Sequence, residues 1–407
     1  MNNLYSFILG HSPKLSQAEI ESVLNLQKIS FQIIDANDIF LILEIKEELN
    51  IEDLNKNLGG IKKIGEFSFL TENLDNFADM ENILWKDIQE NCNLESKIKF
   101  GFSQYSKDKK INNLLNKTSI NLKKKLKEEG ISSRFVTSRE AFLSAVIVQK
   151  EHLIQRGIEW QVLKSKGKIY FFKTKAVQDF TRFNALDYDR PRIDSKSGMT
   201  PPKLAKIMLN LSQSRKVLLD PFCGSGTILL MAEELGFEKI IGSDISEKAV
   251  QDSIENLKWY KERFNKNTDS YIFKADVKNL ILEGLEKNSV DCIVSEGYLG
   301  KPLRGHEDFS FIKEQISGLR DLYLDSFKVF KDLLKNKGCV IITLPIFMFN
   351  NSSPRFAGEA RENHLEIVDE IKKIGFQQEN LLENEQSLIY KREGQRVYRE
   401  IIKFIKN

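Results

Sequence analysis

Apolar residues fall in short runs separated by turn-forming and charged stretches, a spacing that predicts strands alternating with helices. In residues 1–65, Ser6–Gly10, Phe31–Ile34 and Phe40–Glu44 read as strands beside a helix near 15–26, a small α+β unit. Within 66–177, Lys97–Ser103 reads as a strand. A helix near 109–129 follows, with Ile111, Leu114, Leu115, Leu122 and Leu126 on one stripe. Ser133–Val136, Ala145–Val148, Glu159–Leu163 and Ile169–Phe172 continue as strand-like runs. Residues 178–200, rich in Arg, Asp and Ser, read as a connector. A helix starts at Thr200-Pro201-Pro202, where proline suits the first turn, and Leu204, Ile207, Met208 and Leu211 share one face. Over 201–407, four strands (Val217–Asp220, Lys239–Asp244, Ser270–Asp276 and Val290–Val294) alternate with helix-length polar segments. That alternation predicts an α/β fold with a Rossmann-like, doubly wound, mostly parallel sheet.

The first of these strands runs into Asp220-Pro221-Phe222-Cys223-Gly224-Ser225-Gly226-Thr227 and then a helix-forming stretch. Strand, tight glycine turn, helix is the arrangement that presents a ligand at the carboxyl edge of an open sheet. Gly224 and Gly226 let a ligand lie against the main chain. A carboxylate at Asp220 would repel a phosphate but favour an amino group or sulfonium, which points to S-adenosylmethionine rather than a nucleotide phosphate. The next two strands also end in carboxylates. Asp244 stands where an acidic residue accepts from ribose hydroxyls, and Asp276 suits the adenine amino group. Any one of these aspartates could instead be a helix N-cap; three in succession behind a glycine turn form the specific signal.

At 407 residues the chain exceeds one typical core. No apolar run approaches the length needed to span a membrane, and no secretory leader is evident. The four cysteines form no CxxC pair and the four histidines are scattered, so no metal is expected. Reduced thiols and a cytoplasmic location are expected. Net charge is only +3, but residues 1–96 hold 7 Lys and Arg against 17 Asp and Glu, while residues 97–175 hold 19 against 6. The basic segment includes Lys107, Lys109, Lys110, Lys117, Lys123, Lys124, Lys125, Lys127, Arg134 and Arg139. A solvated lysine-rich helix would explain the 123–127 run alone; confinement of the excess to one segment favours a nucleic-acid partner.

The fourth strand leads into Ser295-Glu296-Gly297-Tyr298. An exocyclic purine amine is a weak nucleophile, because its lone pair is delocalised into the ring. Its methylation needs an acceptor for the amino hydrogens and an aromatic face for an unstacked base. Tyr298 fits the stacking role. Ser295 and Glu296 are alternative acceptors, since neighbours on a strand face opposite sides and a turn at Gly297 could aim either inward. A surface turn is the plain alternative for Glu296.

These motifs together resemble the THUMP-domain tRNA guanine-N2 methyltransferases, class I S-adenosylmethionine-dependent enzymes. Phe100-Gly-Phe-Ser103 and Ser132–Phe172 resemble the THUMP RNA-binding module, and Ala176–Asp179 resembles its exit. The resemblance implies that residues 1–65 are the ferredoxin-like α+β domain that often precedes this module. Lys196-Ser-Gly198 with Met199–Leu204 resembles the segment covering the cofactor, and Gly394–Ile401 resembles the family's last element. The family's catalytic Asp-Pro-Pro-Tyr is absent. The resemblance implies cofactor binding by Thr200, Asp220, Pro221, Phe222, Cys223, Gly224, Ser225, Gly226, Asp244, Ile245, Asp276 and Val277. It implies methyl transfer at Ser295–Tyr298 to a tRNA amine, guanine N2 foremost. A small activating subunit is left open by the sequence. So are an inactive RNA-binding protein and a DNA amino-methyltransferase.

Overall fold

The computed structural model describes residues 3–72, 77–106, 108–193, 199–303, 307–349, 361–392 and 394–407. Lys107 and Lys196–Gly198 lie outside the described residues. Cα proximity divides the chain into two units. Residues 1–13, 28–57 and 61–180 form one; residues 14–27, 58–60 and 181–407 form the other.

The elements up to the end of the basic segment are β1 (Asn3–Leu9), α1 (Pro13–Leu26), β2 (Phe31–Ala36), β3 (Phe40–Ile45), α2 (Ile51–Asn57), β4 (Ile61–Thr71), α3 (Phe77–Asn91), β5 (Ile98–Gln104), α4 (Lys109–Glu128), β6 (Ser133–Val136), α5 (Ala145–Lys150), β7 (Gly157–Ser165) and β8 (Lys168–Val177). All eight strands make one sheet, in the order β2-β3-β1-β4-β8-β7-β5-β6. The division expected at residue 65 falls inside β4, which pairs with β1 on one side and β8 on the other. Helix α1, expected with the N-terminal α+β unit, belongs to the second unit. There Glu19 accepts from the main-chain N–H groups of Gly59 (2.8 Å) and Gly60 (2.7 Å).

Two local expectations differ. Ala145–Val148, read as strand-like from its β-branched residues, is helical because Ser144 caps it, its hydroxyl accepting from the Ile147 N–H at 3.3 Å. The connector expected over 178–200 contains a further helix, Phe180–Tyr188, with Phe183, Ala185 and Leu186 buried.

The first unit is tied across its strands by a buried polar chain. Glu159 on β7 pairs with Lys63 on β4, accepts from Ser103 on β5, and accepts from Thr174 on β8 at 2.7 Å. Gln161 donates to Thr174 (3.0 Å) and accepts from Ser6 on β1 (2.9 Å). Burial pulls the Lys63 ammonium below its ordinary range, opposed by the Glu159 carboxylate.

The second unit adds α6 (Phe180–Tyr188), α7 (Pro202–Leu211), β9 (Val217–Asp220), α8 (Thr227–Leu235), β10 (Lys239–Asp244), α9 (Glu247–Phe264), β11 (Asp269–Lys274), β12 (Val290–Glu296), α10 (Phe309–Leu333), β13 (Leu334–Phe349), β14 (Arg361–Asn363), α11 (Val368–Ile374), β15 (Phe376–Glu379), β16 (Ser387–Tyr390) and β17 (Val397–Lys406). The sheet order is β11-β10-β9-β12-β13-β17-β15, parallel through β13, with β17 antiparallel to it. The expected α/β, doubly wound sheet is thus present. Alternate strand residues enter two cores: Leu218, Ile240, Cys292 and Val294 on one face, Leu219, Ile241, Ile293 and Ile342 on the other. Burial on both faces explains why these strands read as continuous apolar runs. Strand order reverses between β9 and β12, the switch point at which open α/β sheets bind ligands.

Replacing Lys63 by Met leaves Glu159 buried without its cation, and should destabilise the first unit by about 3–5 kcal/mol. Urea melts followed by tryptophan fluorescence should show the loss. The paired change Lys63→Met with Glu159→Leu should recover most of it.

Candidate active site

Four strand ends meet at a cleft of about 550 Å³ in the second unit, a size suited to a nucleoside-sized ligand. Asp220, Asp244 and Asp276 all line it, as do Thr200, Pro221, Phe222, Cys223, Gly224, Ser225, Ile245 and Val277. Gly226 lies beneath the turn rather than on the wall. Its φ of 86° is open to glycine, and a Cβ there would stand 2.9 Å from Ser253 Oγ. Asn256 on α9 donates to the Ser225 carbonyl and the Arg192 carbonyl (both 2.9 Å) and accepts from the Arg192 N–H. The same side chain therefore fixes both the glycine turn and the main chain at Arg192.

The three aspartates differ in state. Asp244 Oδ2 accepts from the Gly224 N–H at 3.0 Å and Oδ1 from the Ser246 N–H at 2.9 Å, leaving one lone pair on each oxygen. Asp276 Oδ1 accepts from the Lys278 N–H at 3.0 Å and so caps the short turn Val277–Asn279 while facing the cleft. Asp220 is buried, and burial pushes its carboxyl up to about 7. Hydrogen bonds from Ser295 Oγ (2.6 Å) and the Phe222 N–H (3.3 Å) oppose that rise; the neighbouring Asp244 and Glu296 carboxylates add to it. Asp220 is therefore not the fixed charge that its place in the sequence suggests. Its ionisation depends on a cation arriving beside it.

The acceptor end separates the two candidates. Ser295 is fully buried, is not part of the cleft wall, and spends its hydroxyl on Asp220. Glu296 lines the cleft. Its Oε2 accepts from Thr200 Oγ1 at 2.5 Å, and its Oε1 pairs with Arg399 Nε. Gly297 has no unusual backbone angle; it is required by space, because a Cβ would meet the Tyr323 hydroxyl at 2.2 Å. That hydroxyl donates to the Tyr298 carbonyl at 3.0 Å. The Tyr298 side chain is 51% exposed at the cleft, open to a stacking partner.

Arg399, absent from the residues picked out by sequence, is a wall residue here. It stands on β17 opposite Pro345 of β13, two places past Thr343, which pairs with Glu296. This strand register brings the two side chains together.

In the first unit, Lys109, Lys110, Lys123, Lys124, Lys127 and Arg139 are exposed. They do not form one cluster. Lys109 and Arg139 share a groove with Asn112, Asn116 and Phe135, while Lys123, Lys124 and Lys127 stand at the other end of α4. Those ends are roughly 30 Å apart for a helix of this length. Lys125 lies over the Trp85 ring at 5.0 Å, and Arg134 reaches Glu151 at 3.4 Å.

A family model described as "DNA methylase" matches residues 19–255 of the 407. The chain belongs to that family of methyltransferases. A second model, described as "RMKL-like, methyltransferase domain", matches residues 190–343. The resemblance to guanine-N2 tRNA methyltransferases holds as well. The chain is 37% identical over 101 residues to the tRNA (guanine(10)-N2)-dimethyltransferase of Methanothermobacter thermautotrophicus, covering 24% of this chain and 27% of that protein. It thus spans about a quarter of the length of that curated relative. The fold matches TrmN from Thermus thermophilus over 99% of this chain and 100% of that one, with TM-score 0.55 and 16% identity. It also matches SMU.472, a putative methyltransferase complexed with SAH, over 100% and 99%, with TM-score 0.50 and 12% identity. The chain is an S-adenosylmethionine-dependent methyltransferase by family. Among the described residues, no helix is long and apolar enough to cross a membrane.

A cationic ligand prefers the ionised form of Asp220, whose carboxyl titrates near 7. Affinity for S-adenosylmethionine should therefore rise between about pH 6 and pH 8 and then level off. Calorimetry across that range should find this slope in the natural chain and lose it in Asp220→Asn.

Proposed function

We propose that this methyltransferase acts on an exocyclic purine amine in tRNA, guanine N2 foremost, with Glu296 as the acceptor for the amine and Tyr298 as the stacking platform. The observation that carries the reading is the cleft itself. The cleft is lined by the glycine turn and the three strand-end aspartates together with an ion-paired carboxylate and an open aromatic ring.

The residues fit the cofactor by shape and charge. Gly224 and Ser225 offer main chain to lie against, and Asp244 and Asp276 keep free lone pairs for hydroxyl and amino donors. Asp220 gives the methionyl end an anionic neighbour. S-adenosylmethionine supplies an electrophilic methyl carbon on a sulfonium.

The chain's own residues do the rest. An unstacked base resting on Tyr298 brings its amino group toward Glu296. The carboxylate accepts hydrogen bonds from the amino hydrogens, draws the nitrogen lone pair out of conjugation, and opposes the positive charge that grows there as the new C–N bond forms and the methyl–sulfur bond breaks. One amino proton then passes to the carboxylate. Ser295 takes no part in that contact and keeps Asp220 in place. In the first unit the exposed Lys109, Lys110, Lys123, Lys124, Lys127 and Arg139 would meet RNA phosphates at two separate points along α4. The relatives named for guanine-N2 transfer in tRNA support this choice of polymer and atom. The family description "DNA methylase" supports duplex DNA as the second reading.

The pure protein, incubated with labelled cofactor and unmodified tRNA, should deposit label as N2-methylguanosine on nucleoside analysis. Preference for DNA, or label in another nucleoside, would reject the reading. Glu296→Gln should lower the rate by about 100-fold while cofactor affinity stays within about threefold. An inactive natural chain that still binds cofactor and tRNA would mark a binding protein instead.

A further inference from the structure

We infer that Arg399 is the positioning residue for methyl transfer, acting through Glu296; the inference rests on the proposed role of Glu296 as acceptor. The two side chains are 9% and 11% exposed, so their ion pair is largely shielded from water. Arg399 Nε holds Oε1 and Thr200 Oγ1 holds Oε2, one fixed donor for each oxygen. A carboxylate held in this way cannot rotate, and each oxygen keeps a lone pair for a substrate N–H.

The charge around it makes the pairing necessary. Asp220, Asp244 and Glu296 line one cleft, and Asp220 already feels the other two. The Tyr323 hydroxyl also senses Glu296. Two cationic side chains line that cleft: Lys278 pairs with Asp325, and Arg399 pairs with Glu296. Without Arg399, the crowded carboxylates would favour sharing a proton. A proton on Glu296 would put a donor where the amine needs an acceptor. The other contact of the guanidinium, Nη1 to Gln395 Oε1 at 3.5 Å, is too long to hold it in place by itself. Arg399 therefore answers to Glu296 more than to its own surroundings.

The test uses the full chain, S-adenosylmethionine and in-vitro-transcribed tRNA, with Arg399→Ala, Arg399→Lys, Glu296→Gln and the double variant Glu296→Gln/Arg399→Ala. Arg399→Ala should lower kcat by about 100-fold with KM for tRNA and cofactor affinity within about threefold. Arg399→Lys, which keeps the charge, should regain about tenfold of that loss. The double variant should be no slower than Glu296→Gln alone, because a residue that works through the carboxylate has nothing left to position. Losses that multiply in the double variant, or a lysine variant as slow as the alanine one, would overturn the inference. So would an unimpaired Arg399→Ala beside a crippled Glu296→Gln, and that result would leave the acceptor role of Glu296 standing. A Glu296→Gln enzyme at the natural rate would sink both together.

Discussion

Strand β9 ends in a carboxylate that water does not reach, and the rest of the site is arranged around that fact. A buried acid needs hydrogen-bond donors or a cation, and Asp220 draws the first from the Phe222 main chain and from Ser295. Ser295 is committed by that bond, so the next residue on β12 is the one left to face the cleft. Glu296 then needs its own partners, found in Thr200 at the head of α7 and Arg399 on β17. A single buried carboxyl on the central strand is thus linked through one serine to the residue that faces the cleft, and from there to two elements distant in the chain.

The parts of this site that could be read from sequence were those set by local chemistry. A run of apolar residues ending in Asp, followed by two glycines and a helix-forming stretch, encodes strand, turn and helix within a few residues. Asp244 and Asp276 follow the same rule. The orientation of Ser295 and Glu296 could not be read that way, because alternation along a strand gives two answers and a distant contact selects one. Arg399 lay further out of reach. It is 103 positions from Glu296 (399 against 296), and an antiparallel strand entering beside β13 brings it there. Its stretch, Gly394–Ile401, was visible as a family element without any clue to which side chain mattered.

The misread elements have equally physical origins. Ala145–Val148 has the composition of a strand, yet a serine cap and one buried valine settle it as a helix. The Phe180–Tyr188 helix hides in a stretch whose charged residues suggest a linker; its apolar positions are few but are the ones that pack. The eight-stranded sheet of the first unit joins the two segments that the strand and helix pattern separates at residue 65, because β4 pairs with β1 along one edge and with β8 along the other. The buried chain from Ser6 through Gln161 and Thr174 to Glu159 and Lys63 spans those segments. Such a chain gains from being complete and loses heavily from any single gap, which favours one strand register over its neighbours.

The short bond between Ser295 and Asp220 also constrains how this sequence could change. An aspartate in place of Ser295 would set a second carboxylate against one already deprived of solvent. Ser295→Asp as a single replacement would thus be strongly unfavourable. A carboxylate at that position would require the acid on β9 to be neutralised or moved first.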